Sequence, residues 1–182
     1  STSRRQRQMC IRDSYMLTRQ LLPLMQPGCR IVNTVSCTYA IGRIEPDFFE
    51  KGRNGRFFRI PVYSNTKLAL LLFTQELAER LQNQGITINA SDPGIVSTNM
   101  ITMQAWFDPL TDILFRPFIK TPVQGAATAI HLALSDEAKD RNGCCYANCK
   151  KRNVSERIRH HAQQKQLWDD TEILLRQKGI RF

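Results

Sequence analysis

The sequence predicts an α/β protein built on a parallel sheet, and three observations lead to this class. Short β-rich segments alternate with longer segments of helical periodicity along the chain. The connections between successive strands are longer than about ten residues, a length that favours parallel pairing with a helix packed on the sheet. Glycine and proline stand at the ends of these segments, where turns are expected.

The first predicted elements are the last turns of a helix over Tyr15–Met25 and a strand over Arg30–Ser36. The helix has apolar residues at helical spacing and ends before Pro27 and Gly28. The strand "RIVNTVS" is short and β-rich, as a buried parallel strand should be. The polar segment Tyr39–Pro61 follows and reads as a long loop, a type of connection that is often functional.

A long helix is predicted over Pro61–Gln84, because Pro61 stands near its start and Gly85 at its end. Its run Leu68–Phe73, "LALLLF", has no polar face, which indicates burial on two sides. One side should face the sheet, and a partner subunit is the expected cover of the other side. The sequence therefore predicts a homo-oligomer that associates through residues 61–84.

Four further elements complete the predicted order. Ile86–Ser91, "ITINAS", is a second strand and ends at the turn "DPG". Val123–Leu134 is an amphipathic helix, residues 144–149 form a third strand, and "QKQLWDDTEILLRQ" over residues 164–177 is a closing helix. The sequence contains neither an internal repeat nor a linker, so a single domain is expected.

The net charge of +10 comes from 26 basic and 16 acidic residues. An excess of this size often indicates an acidic partner such as nucleic acid. Here much of the positive charge lies in residues 1–14 and 150–159, and the second cluster lacks the interleaved aromatic residues of a single-strand platform. A solvated basic surface is the favoured interpretation, and we expect no nucleic-acid partner.

The six cysteines show neither zinc-ligand spacing nor the density of a small secreted domain. Reduced thiols, no metal and a cytoplasmic location are therefore expected. The apolar stretches are far shorter than the roughly 20 residues of a membrane span, although an anchor upstream of residue 1 is left open.

Residues 1–14 form a separate unit in this interpretation. The stretch "MCIRDS" resembles the translation of a sequencing adapter, and a segment of that origin would not be part of the natural domain. The sequence thus predicts a non-native leader over residues 1–14 and a partial domain over residues 15–182.

The stretch "YSNTK" places Tyr63 and Lys67 four residues apart at the start of the long helix. Residues at this spacing share one helix face. A cation favours the phenolate, so Lys67 should lower the pKa of Tyr63 from about 10 towards neutrality and make it a usable general acid and base. By spacing alone, a surface pair without a catalytic role is the favoured interpretation, because a tyrosine and a lysine at this spacing are common at helix starts.

Neighbouring motifs favour the catalytic interpretation of this pair. Ligands of open parallel sheets bind outside the carboxyl ends of the strands. Ser36 ends the first strand, and its hydroxyl could donate to the same carbonyl oxygen as Tyr63. The motif "DPGIVST" ends the second strand with a glycine that lets backbone approach a ligand closely. Three elements should therefore converge on one edge.

Taken in order, Ser36, "YSNTK" and "DPGIVSTNM" resemble the short-chain dehydrogenase/reductase family, most closely its retinol dehydrogenase-like branch. The resemblance implies the C-terminal half of a Rossmann-type doubly wound sheet, without its first βαβ half. It implies that Tyr63 is the proton donor or acceptor, that Lys67 perturbs its pKa and binds the ribose, and that Ser36 orients the substrate oxygen. The nicotinamide site would be lined by Tyr63, Lys67, Pro93, Gly94, Val96 and Thr98.

The same resemblance implies NAD(P)(H) as cofactor, with NADP favoured, and a small carbonyl or alcohol as substrate. No Gly-x-x-x-Gly-x-Gly turn is present in the sequence, so the element that seats the pyrophosphate is missing. We therefore expect residues 1–182 to be inactive on their own. A non-catalytic module that keeps the fold and dimerises through residues 61–84 is the alternative.

Overall fold

A computed structural model describes residues 2–45, 48–49, 59–96 and 120–180. Five helices and four strands are named here in chain order. The helices are α1 (Thr2–Leu21), α2 (Arg59–Arg80), α3 (Pro122–Leu134), α4 (Glu156–Arg159) and α5 (Gln164–Gln177). The strands are β1 (Arg30–Thr34), β2 (Thr87–Asp92), β3 (Cys145–Ala147) and β4 (Lys150–Lys151). Short 3₁₀ helices occupy Leu22–Leu24, Cys37–Ile41 and Asp136–Ala138.

The described strands form one sheet in the order β1-β2-β3-β4. β1 and β2 pair in parallel, from Arg30 opposite Thr87 to Thr34 opposite Ser91, and β3 continues the parallel sheet beside β2. This arrangement confirms the predicted α/β class. β4 was not predicted, and it pairs with β3 in the antiparallel sense through a short hairpin.

Helix α2 lies across the sheet as its central cover, and all six residues of the run Leu68–Phe73 are at most 4% exposed. The second side of this run is covered within the chain, because α1 and α5 both pack on α2. The ring of Trp168 in α5 stacks on Phe73 at a centroid distance of 5.6 Å. The expectation that a partner subunit covers the second side of this run is therefore wrong. The alternative of a module that dimerises through this helix loses the exposed apolar run on which it depended. Homo-oligomerisation itself stays a prediction.

The bounds of α2 differ from the predicted 61–84 at both ends. The helix begins at Arg59 and so includes Pro61 in its first turn, where the missing N–H of proline costs little. It ends at Arg80, because Asn83 and Gly85 have φ values of 72° and 70°, which no residue of a right-handed helix adopts. The final turns of the predicted helix are thus a chain reversal that leads into β2.

Helix α1 is continuous from Thr2 to Leu21, so the predicted last turns over Tyr15–Met25 end four residues earlier than expected and continue into a 3₁₀ helix. Ile11 is 1% exposed and Tyr15 is fully buried, so both contribute to the core beside α2. The helix has no break between residues 14 and 15. The division of the chain into a leader and a domain at this point stays a prediction.

Helix α3 covers the opposite face of the sheet, where Leu132, Ala138 and Tyr146 form a second, smaller core. It begins with a capping box. The Gln124 backbone N–H donates to the Thr121 hydroxyl oxygen, and the Thr121 backbone N–H donates to the side-chain oxygen of Gln124. The sheet is thus covered on both faces, as a parallel sheet requires.

Candidate active site

The carboxyl ends of β1 and β2 lie side by side. The backbone N–H of Val35 donates to the carbonyl oxygen of Ser91 at 2.9 Å, which extends the pairing one residue beyond β1. Ser36 follows at once, in an extended conformation with φ −153° and ψ 149°. Its half-buried side chain caps the 3₁₀ helix Cys37–Ile41 by accepting from the Thr38 N–H at 3.5 Å. The strand-end position predicted for Ser36 is therefore present.

Tyr63 and Lys67 share one face of α2 at this same edge of the sheet. The Lys67 ammonium lies 5.6 Å from the centroid of the Tyr63 ring. Its Nζ also donates to the carbonyl oxygen of Thr34 at 2.9 Å, two residues before Ser36. One lysine thus connects the end of β1 with the first turns of α2. The Tyr63 side chain is 44% exposed, so a ligand can reach its phenol.

The segment between Ser36 and Arg43 is held against α2 and α4. Gly42 packs directly on α2, because a Cβ at this position would lie 2.6 Å from the carbonyl oxygen of Ser64. From the other side, the Arg157 guanidinium donates to the carbonyl oxygens of Ala40 at 2.9 Å and Gly42 at 3.5 Å. This packing fixes the backbone that carries Ser36 relative to the helix that carries Tyr63.

The turn after β2 forms the third part of the site. Gly94 has φ +76°, a conformation that strains any residue with a Cβ, and its N–H donates to the Asp92 carboxylate at 3.0 Å. Asp92 is 2% exposed and is paired with Arg152 at 3.0 Å. Val96 continues from the turn and bridges to Lys120. Thr98, the last predicted residue of this motif, lies outside the described residues.

A second phenol lies near this edge but is unsuited to acid–base work. Tyr39, in the 3₁₀ helix after Ser36, is 5% exposed. Burial, together with the charge of the neighbouring Cys145 and a hydrogen bond to its thiol, raises the pKa of Tyr39 to about 12. Such a phenol stays protonated at neutral pH and is enclosed by protein. Of these two phenols, Tyr63 is the one that a substrate can meet.

Several residues that build this edge were missed by sequence reasoning. Arg152 and Arg157 were placed in a solvated basic cluster, whereas they bind Asp92 and the loop after Ser36. Lys120 was not singled out, although its Nζ donates to the Pro93 carbonyl oxygen at 3.0 Å. One sequence signal was available for Arg152: an aspartate at the end of a buried strand, such as Asp92, needs a cationic partner.

The cofactor contacts predicted for this edge stay a prediction, and three features of the described residues bear on them. Gly94 takes a positive φ beside Pro93, and the Lys120 side chain packs against it, because a Cβ at this position would lie only 3.1 Å from the Lys120 ammonium. The exposed Tyr63 and the half-buried Ser36 face the same sheet edge. Within the described ranges, no group of three His, Cys, Asp or Glu side chains could hold a metal ion.

Comparison with known proteins identifies related chains. The family model described as "short chain dehydrogenase" matches residues 50–106. Human retinol dehydrogenase 14 is 36% identical over 168 residues, covering 88% of this chain and 49% of that protein. Mouse retinol dehydrogenase 12 is 36% identical over 170 residues, covering 92% of this chain and 52% of that protein. The chain thus spans about half the length of the curated relatives that it matches.

Two solved structures share the fold. An uncharacterized protein from Mycobacterium paratuberculosis superposes with a TM-score of 0.65 at 23% identity, over 90% of this chain and 55% of that chain. A blue fluorescent protein from a metagenomic library, solved in complex with NADPH, has a TM-score of 0.52 at 27% identity, over 71% of this chain and 47% of that chain.

The expected cytoplasmic location is contradicted by these relatives. Retinol dehydrogenases 11, 12 and 14 are membrane-associated or endoplasmic reticulum proteins. Reduced cysteines and short apolar stretches were too general to distinguish the cytoplasm from such a location. No helix among the described residues is long and apolar enough to cross a membrane.

The family model and the sequence relatives point to the same family, and the solved structures share its fold. The chain belongs to the short-chain dehydrogenase/reductase family, in its retinol dehydrogenase-like branch.

Proposed function

We propose that this chain carries the catalytic half of an NAD(P)-dependent oxidoreductase that interconverts a carbonyl compound and an alcohol. One observation carries the proposal: the Lys67 ammonium is held between the Thr34 carbonyl oxygen at 2.9 Å and the Tyr63 ring, 5.6 Å from its centroid. A cation fixed at this point favours the phenolate over the phenol. Tyr63 thereby becomes able to exchange a proton near neutral pH.

In the direction of reduction, the Tyr63 hydroxyl gives its proton to the carbonyl oxygen of the substrate. A nicotinamide held at this edge would supply the hydride for the carbonyl carbon and would itself be oxidised by two electrons, while the carbonyl would be reduced to an alcohol. Lys67 stabilises the tyrosinate that remains, and a proton from solvent restores the phenol. In the direction of oxidation, the same tyrosinate takes the proton of the alcohol.

Ser36 orients the substrate oxygen in this proposal. Its position at the end of β1 and the fixed 3₁₀ segment behind it hold the hydroxyl at the edge where Tyr63 is exposed. A hydroxyl donor placed where negative charge develops on oxygen stabilises the transition state. Pro93, Gly94, Val96 and Thr98 would line the nicotinamide ring, with Tyr63 and Lys67 contacting its ribose.

The substrate proposed here is an apolar carbonyl compound or alcohol. Support comes from the relatives, which are named as retinol dehydrogenases. NADP is the favoured cofactor, because a solved relative that is 27% identical was determined in complex with NADPH. Retinal with NADPH is accordingly the first substrate pair to test.

The decisive experiment measures kcat for retinal reduction in the full-length gene product that contains these residues. We expect Tyr63→Phe to lower kcat by about 100-fold or more, because general acid catalysis contributes about this factor. Tyr146→Phe is the matched control, since this buried phenol lies on the α3 face of the sheet and should leave kcat within about twofold. A Tyr63→Phe enzyme with nearly unchanged kcat would show that another group moves the proton.

A further inference from the structure

Lys120 joins three segments at the carboxyl end of the sheet. Its Nζ donates to the carbonyl oxygen of Pro93 at 3.0 Å and also to the side-chain oxygen of Asn148, which follows β3. Its backbone N–H donates to the carbonyl oxygen of Ile95 at 2.8 Å, and it forms an isolated parallel bridge with Val96. Both the backbone and the side chain of one residue therefore hold the segment 93–96.

Gly94 explains how the ammonium reaches its position. A Cβ at Gly94 would lie 3.1 Å from Nζ and 3.2 Å from Cε of Lys120, so a larger residue there would require the lysine side chain to shift by a few tenths of an ångström. Glycine at position 94 therefore meets two requirements. It adopts a positive φ without strain, and it leaves room for the Lys120 side chain.

We propose that Lys120 is a positioning residue that fixes the backbone of Pro93–Val96 in the conformation that receives the nicotinamide ring. The inference rests on the proposed function, since it assigns a purpose to the segment that would line the cofactor. Lys120 acts through the backbone and takes no part in proton transfer. An ammonium suits this purpose, because it has three donors and can bind two acceptors from different segments at once.

The structural part of the proposal is tested by hydrogen exchange of backbone amides in the 182-residue chain. In Lys120→Met the amide of Gly94, whose N–H donates to the Asp92 carboxylate, should exchange about tenfold faster or more, because the turn loses the charged donor to the Pro93 carbonyl oxygen. Lys120→Arg should restore most of the protection, since it keeps donors and charge. The matched control is Lys139→Met, which removes an exposed lysine after α3 and should change nothing at Gly94. Unchanged exchange in Lys120→Met would overturn the proposal.

The functional part is tested by kinetics in the full-length gene product. Lys120→Met should raise the KM for NADPH about tenfold while the KM for retinal stays within about twofold, and Lys120→Arg should return the KM for NADPH towards the wild-type value. A general loss of folded protein would instead lower kcat without changing either KM. If exchange at Gly94 rises but the KM for NADPH does not, the link to the cofactor is wrong.

Failure of the proposed function can be distinguished from failure of this inference. A wild-type protein that neither oxidises nor reduces any tested substrate would refute the oxidoreductase assignment. The exchange measurement would still decide whether Lys120 holds the segment 93–96, because it needs neither cofactor nor turnover.

Discussion

The buried thiol of Cys145 shows how a single residue makes the stability of this fold depend on pH. Cys145 is 1% exposed, and burial raises the pKa of its thiol from an ordinary value near 9.0 to about 11, although the hydrogen bond from Tyr39 acts in the opposite direction. The unfolded chain therefore loses this proton at lower pH than the folded chain. The stabilisation linked to the neutral thiol is complete below pH 9 and declines as the pH rises towards 11.

This linkage makes a residue-scale prediction for Cys145→Ala. Between pH 9 and 11, the free energy of unfolding of the wild type should fall by about 2 kcal/mol more than that of the variant, because two pKa units correspond to roughly this amount. Urea unfolding under reducing conditions at several pH values measures the difference. Cys37→Ala removes an exposed thiol and should keep the wild-type slope. Parallel pH profiles for Cys145→Ala and wild type would contradict the prediction.

Residues whose neighbours are close in sequence could be predicted, and those with distant partners could not. Tyr63 and Lys67 are separated by one helical turn, so their shared face followed from periodicity alone. Lys120 binds the carbonyl of Pro93 from 27 residues away, and Arg157 binds that of Ala40 from 117 residues away. Neither distance leaves a local pattern, because such contacts are created only when the sheet and its helices assemble.

At the scale of elements, the end of α3 depends on a residue from another part of the chain. Arg30, the first residue of β1, donates from its guanidinium to the carbonyl oxygen of Ser135 at 2.7 Å and to that of Leu132 at 3.4 Å. The last carbonyl groups of a helix have no partner within the helix, and a cation there also interacts favourably with the helix dipole. One arginine therefore joins the start of the sheet to the end of the helix that covers it.

Removing this cap should destabilise the protein measurably. Arg30→Met is expected to lower the free energy of unfolding by about 1–2 kcal/mol, since it leaves partly buried carbonyl groups without their charged donor. Urea unfolding monitored by circular dichroism provides the measurement. Arg141→Met, which changes an exposed arginine beyond α3, serves as control and should cost less than about 0.5 kcal/mol. Equal stability of the two variants would show that the Arg30 contacts contribute nothing.

The order of the helices and strands could be predicted because each has a local sequence signal. The elements against which each one packs could not be predicted in this way. The closing helix over 164–177 agrees with α5 at both ends, and α3 begins one residue before the predicted Val123. By contrast, the all-apolar run of α2 showed that two sides were buried without showing what covers them. Periodicity reports burial but does not distinguish a partner subunit from α1 and α5 of the same chain.

At the scale of the whole molecule, β1 is one of the two strands of the described sheet that are paired on a single side, the other being the two-residue β4. Within the described residues, β1 is hydrogen-bonded to β2 alone, and Ile31, Val32 and Asn33 are half-buried. Unpaired strand edges invite pairing with other chains. The composition of "RIVNTVS" suits an interior strand, so this edge is where self-association of the 182-residue chain would begin.

The last prediction concerns binding of dinucleotides by residues 1–182 alone. Much of the affinity for a dinucleotide comes from the pyrophosphate at a helix N-terminus that follows a glycine-rich turn, and this sequence contains no such turn. The N-terminus of α3 is no substitute, because Pro122 has no N–H and the Gln124 N–H is already bonded to Thr121. In the proposed site, only contacts to the nicotinamide end of the cofactor would remain. Calorimetry should therefore give a Kd for NADPH weaker than about 100 µM, and no more than about tenfold tighter than that for reduced nicotinamide mononucleotide. A low-micromolar Kd for NADPH would mean that this chain holds the pyrophosphate by other residues, and that its catalytic half is sufficient to bind the whole cofactor.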